Sequence, residues 1–227
     1  MKSNLQQYIK ETSTKVIKEQ KQFNVFGNVQ VVIKDPLPES LDLAYVFDKI
    51  DSIIPDYLKS NIDLIYIGEF SEFLERDVNA MYKHGALYIT NAQDDEADMI
   101  DDIVHEIAHS VEEFAGQDIY GDKKVENEFI GKREKLFYIL REEGFDVNLQ
   151  NFLNSSYDKD FDKFLYDKIG YPLLISLTMG LFISPYAVTS LREYFASGFE
   201  RYFLGDRRYL NNISPLLYNR LEYISNF

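Results

Sequence analysis

Cysteine is absent from the 227-residue chain, so neither a disulfide nor a thiolate metal ligand can form and finger-type zinc sites are excluded. Basic residues are scarce: 24 Lys and Arg stand against 38 Asp and Glu, a formal net charge of -14. That balance opposes a broad phosphate-binding face, which argues against nucleic acid as a partner, and it disfavours anionic membrane surfaces. The first twenty residues hold no apolar core of the kind a secretory signal needs. The expected location is therefore cytoplasmic, or reached by delivery that needs no signal peptide. One segment could be mistaken for a membrane span, the charge-free residues 169–191, but Pro172 and Pro185 interrupt it. Its densest apolar run, residues 173–183, has the length of a buried core helix and not of a membrane span. No repeat or low-complexity linker interrupts the chain.

What is abundant is apolar and aromatic, at 45% and 15%, enough for a substantial core. Residues 2–22 carry Leu5, Tyr8, Ile9, Thr12 and Val16 at helical spacing. The β-branched run Val29–Ile33 predicts a strand, closed by Asp35-Pro36-Leu37-Pro38. Leu43, Val46, Phe47, Ile50 and Ile54 predict a helix ending before Pro55. Residues 62–67 and Ala86–Thr90 predict two more strands, and beyond Gly116 only helical patterns follow. The expected fold is α+β, a small mixed sheet in the N-terminal half and helices after it. Residues 1–116 form one subdomain in this reading and 117–227 a helical second one. Within the latter, 117–180 read as an insertion and 181–227 as a functional helix with a closing helix.

Histidine occurs three times, and two of the three fall in Ile103-Val104-His105-Glu106-Ile107-Ala108-His109. Ile100, Ile103, Val104, Ile107 and Val111 make an apolar stripe, so the segment is helical. Histidines four apart stack one turn above another on one face, where two imidazoles can bind one Zn2+ ion. Glu106 beside them can hold the attacking water. Both histidines lie off the apolar stripe, which predicts a ligand face turned away from the helix's main packing surface. The acidic run before the motif (Asp94, Asp95, Glu96, Asp98, Asp101, Asp102) complements the helix dipole and raises a cleft for basic substrates as an alternative. His84 reads as a surface loop residue.

The third ligand has to come from elsewhere. Glu112 and Ala115 stand where the metzincin pattern needs Gly and His, and Asp118, Tyr120 and Gly121 follow His109 too closely to serve as in an aspzincin. Two glutamates remain. Glu128, in Val125-Glu126-Asn127-Glu128-Phe129, is similar in spacing to the Asn-Glu pair of thermolysin-like and aminopeptidase-type gluzincins. Its helical surroundings, residues 123–143, carry both charges at i, i+4 spacing and read as a solvated face.

Glu193 opens Glu193-Tyr194-Phe195-Ala196-Ser197-Gly198-Phe199, which resembles the E-[FY]-F-A-x-x-F helix of the anthrax lethal factor-like metallopeptidases, the Pro-Pro endopeptidases among them. That resemblance implies a zincin-like fold, Zn2+ held by His105, His109 and Glu193, and Glu106 as general base. It also implies a catalytic tyrosine seven residues before the ligand glutamate, where Tyr186 stands. Residues 110–192, between His109 and Glu193, are longer than the family's usual connection. Glu200 is a candidate to orient an imidazole, and an edge strand near 85–89 a candidate to pair with a protein or peptide substrate. The expected function is zinc-dependent endopeptidase. The alternative is a catalytically silent zincin-like scaffold that serves protein interaction or assembly.

Overall fold

The computed structural model describes residues 22–71, 73 and 78–226. The chain forms two compact units with the boundary between Val111 and Glu112. It is α+β, with a five-stranded mixed sheet in the N-terminal half and mostly helices after it.

In the first unit, β1 (Gln22–Val25) and β2 (Val29–Ile33) make an antiparallel hairpin. β2 pairs in parallel with β3 (Leu64–Gly68), and β3 in parallel with β5 (Ala86–Thr90). β4 (Ala80–Lys83) closes the order β1-β2-β3-β5-β4 antiparallel to β5. Alternation decides which face is buried: Ile65, Ile67, Leu87 and Ile89 are fully buried, while Tyr66 and Tyr88 stack on the opposite face, 5.3 Å between ring centroids. Helix α1 (Leu43–Ile53) is capped by Asp42, whose carboxylate accepts from the Tyr45 amide at 3.1 Å, and it buries Leu43, Val46, Phe47 and Ile50. The amide of Asp42 donates to Glu96 Oε1 at 2.9 Å, which ties the start of α1 to the start of the motif helix α2 (Glu96–Tyr120).

The second unit holds α3 (Lys124–Glu142), α4 (Leu149–Leu153), α5 (Lys159–Phe164), α6 (Tyr171–Thr178), α7 (Leu191–Leu204), α8 (Arg207–Ile213) and α9 (Pro215–Ile224). Helix α3 packs against α4, α6, α7 and α9. Phe129 on α3 lies 5.4 Å from Tyr194 on α7 and 6.2 Å from Phe182 by ring centroids. α7 and α9 approach closely at Gly198, where a Cβ would sit 2.3 Å from Leu217 Cδ2.

Several expectations change. A helix over residues 2–22 lies outside the described residues, except at Gln22, which begins β1 instead. Two strands were not anticipated. β1 lies at the end of that presumed helix, and β4 reads Ala-Met-Tyr-Lys, with no β-branched residue to announce it. As a result Ala86–Thr90 is not an edge: it lies between β3 and β4, and β4 is the edge strand. The two-residue loop His84-Gly85 joins β4 to β5 with φ of 49° and 81°, the positive values that a tight hairpin demands.

Residues 123–143 are not a solvated face. α3 buries Val125, Phe129, Leu136 and Leu140, together with Lys132 and Arg133. Arg133 donates to the carbonyls of Asn151 and Asn154 and lies over the Phe161 ring at 4.1 Å, so its charge is held by backbone oxygens and aromatic faces. The apolar run 173–183 is not one core helix either. α6 stops at Thr178, and Leu173, Ile175 and Met179 are exposed. No helix among the described residues is long and apolar enough to cross a membrane.

Candidate metal centre

Helix α2 is started by its acidic lead-in. Asp95 Oδ1 accepts from the amides of Ala97 and Asp98 at 2.8 and 3.0 Å, satisfying donors that a helix start leaves open. Asp102 has a different place. Gln93 Nε2 donates to it at 3.0 Å, and burial pushes its carboxyl up to about 6 despite that bond, with Asp98 and Glu106 adding to the rise.

The helix carries His105 and His109 with ring centroids 5.1 Å apart and planes at 79°. His105 is half-buried, whereas Glu106 and His109 are buried. The ligand face is therefore partly enclosed. Its depth follows from the buried residues on both sides of it, since Val104, Ile107 and Ala108 are fully enclosed. Glu106 Oε2 accepts from the backbone amide of Tyr82 on the edge strand β4 at 2.5 Å, a bond that orients the carboxylate. Nothing in the sequence flagged Tyr82, because it contributes a main-chain group.

Helix α7 begins at Ser190, whose Oγ accepts from the Glu193 amide at 3.2 Å. That cap places Glu193 in the first turn, where a carboxylate is favoured by the helix dipole. One ligand atom from each of His105, His109 and Glu193 lies within 4.8 Å of the others. Two imidazoles and one carboxylate are a donor set that suits zinc in a catalytic site, with a fourth position left for water or substrate.

Tyr186 lies in the 3-10 turn Tyr186–Val188, which packs on α7. The turn is held by the Thr189 hydroxyl, donating to the Tyr186 carbonyl at 2.8 Å, and by the Ala187 amide, donating to Ser184 Oγ at 3.1 Å. Burial first, and the Glu193 carboxylate second, push the Tyr186 hydroxyl well above its ordinary range. It stays protonated and able to donate a hydrogen bond at any physiological pH.

Glu128 is engaged elsewhere. Its carboxylate accepts from the Tyr194 hydroxyl at 2.8 Å and from the amides of Leu216 and Leu217 at 2.9 and 3.0 Å, so it caps α9. Lys132 Nζ donates to Ser214 Oγ at 2.5 Å beside it, and burial lowers that ammonium to about 8 even though Glu128 opposes the change. Glu200 lies two turns along α7 from Glu193 and is half-buried, and His84 is exposed in its hairpin loop.

No protein-family model, curated protein or solved structure matches the chain.

Proposed function

We propose that the chain is a zinc-dependent endopeptidase of the lethal factor-like kind, with His105, His109 and Glu193 as metal ligands. The observation that carries this reading is the convergence of those three donors next to a buried, oriented Glu106. Zinc held there would supply a Lewis acid that polarises a peptide carbonyl and acidifies water. Glu106 takes a proton from the attacking water as its oxygen bonds to the carbonyl carbon, then passes the proton to the amine that departs when the C–N bond breaks. The Tyr82 amide holds Glu106 Oε2 in place through this exchange. Tyr186 remains neutral and donates to the oxyanion that develops. An extended substrate lies along β4, the edge strand whose backbone already reaches Glu106.

Metal content and peptide cleavage, measured together, test the reading. Wild type should hold about one zinc, Glu193→Gln and His109→Ala should lose it, and Glu106→Gln should keep zinc while cleavage of a peptide library falls by at least about 100-fold. Tyr186→Phe should also keep zinc and lose about 10- to 1000-fold in kcat with little change in KM. Zinc retained in Glu193→Gln would overturn the ligand set. Zinc binding without cleavage of any peptide would favour the silent scaffold.

A further inference from the structure

Glu193 is bracketed in sequence by Arg192 and, two residues on, Phe195, and each of these two makes a contact with the C-terminal turns of α2. Arg192 Nε donates to Glu112 Oε2 at 3.2 Å. The same carboxylate accepts, through Oε1, from the Tyr120 hydroxyl two turns further along α2. Phe195, fully buried, meets the Tyr120 ring edge-on, with centroids 6.1 Å apart. Glu112 is therefore the hub of a three-residue clamp, and it lies one turn beyond His109 on the same helix.

The two sides of the clamp differ in solvation. The Glu112 side chain is 7% exposed and that of Arg192 63% exposed. A buried carboxylate thus holds the guanidinium of an arginine at the protein surface, one residue before the proposed ligand. Burial and the Glu112 carboxylate together push the Tyr120 hydroxyl well up, so it remains a donor to Glu112. Ser190 fixes the Glu193 amide from the other direction. These contacts restrain the first turn of α7, where Glu193 sits, and a restrained backbone favours a short carboxylate meeting two imidazoles at metal-ligand distance.

Resting on the metal centre proposed above, we infer that Glu112 is a positioning residue for that centre, holding the third ligand at its height through Arg192 and Tyr120. It touches no metal and no substrate. Its effect is on how tightly zinc is held.

The test is the zinc dissociation constant, read by competition with a chromogenic chelator, for wild type, Glu112→Gln, Arg192→Gln and the double variant. Glu193→Gln and the core truncation Leu136→Ala serve as references. Each single clamp variant should weaken zinc by about 10- to 100-fold, and the double variant should be no weaker than the weaker single, because both remove one interaction. Leu136→Ala should lower the melting temperature and leave zinc affinity within about threefold of wild type. Should Glu112→Gln fail to fold, Arg192→Gln carries the same comparison from the exposed side of the pair. Wild-type affinity in the clamp variants would overturn the inference while leaving the metal centre intact. So would fully additive losses, or an equal loss in Leu136→Ala, which would signal general loosening. Failure of wild type to bind zinc, or undiminished binding in Glu193→Gln, would remove the metal centre itself and the clamp's role with it.

Discussion

Individual side chains in this protein are decided by where burial puts them. Asp102 belongs to an acidic run in which Asp95 caps the start of the helix, yet it is drawn in beside Gln93 and raised to about 6. A carboxyl raised in the folded state favours folding while protonated: its contribution is complete below its unfolded value near 4 and is lost as pH rises through about 6. The rise from 3.8 to about 6 corresponds to at most roughly 3 kcal/mol, and water reaching the half-buried side chain cuts that to about 1. Asp102→Asn keeps an acceptor for Gln93 and never ionises. In the metal-free protein it should therefore raise the melting temperature at pH 7.5 and bring no gain near pH 4, as thermal melts across that range would show. Lys132 and Arg133 teach the same lesson with opposite charge. Sequence periodicity sees two cations on a charged helix, but α3 lies among four other helices, so their stems and heads are enclosed. Glu128 is the sharpest case. Its spacing from the histidines suits a ligand, and only its three hydrogen bonds reveal a cap.

Elements with strong local signals are legible and those held by neighbours are not. Val29–Ile33 and Ala86–Thr90 form strands where β-branched and aromatic residues predict them, and α1 runs from its Asp42 cap to the residues before Pro55. β4 exists because the His84-Gly85 turn returns the chain onto β5, a tertiary pairing that Ala-Met-Tyr-Lys does not advertise. The approach of α7 to α9 is equally hidden, since Gly198 reads only as a helix-weakening residue. Gly198→Ala should gain helix propensity of about 1 kcal/mol but collide with Leu217, for a net loss of about 1–3 kcal/mol in denaturant unfolding. Glu128→Ala should cost at least about 2 kcal/mol, because it strips a cap from α9 and leaves the buried Tyr194 hydroxyl without its acceptor. In the same preparation zinc content should be retained, which separates a capping residue from a ligand.

At the scale of the whole molecule, the proposed metal centre draws its ligands from residues 105, 109 and 193, so zinc binding and folding should be coupled. Free zinc at 100 times its dissociation constant should stabilise the fold by about 2.7 kcal/mol, and a chelator should return the melting temperature to that of Glu193→Gln. A melting temperature indifferent to both would mean that no ion links those residues. By itself the sequence determined the fold class and the helical face that carries His105, Glu106 and His109, because periodicity and four-residue spacing are local properties of the chain. Through its resemblance to a known family it also nominated Glu193 as third ligand, with Glu128 as the alternative, and Tyr186 as a catalytic residue. Tertiary structure decided that Glu128 caps α9, that β4 is the edge, and that Glu112 holds Arg192 and Tyr120. Each of those outcomes depends on which distant residues burial and hydrogen bonding bring together, and residue spacing carries no record of that.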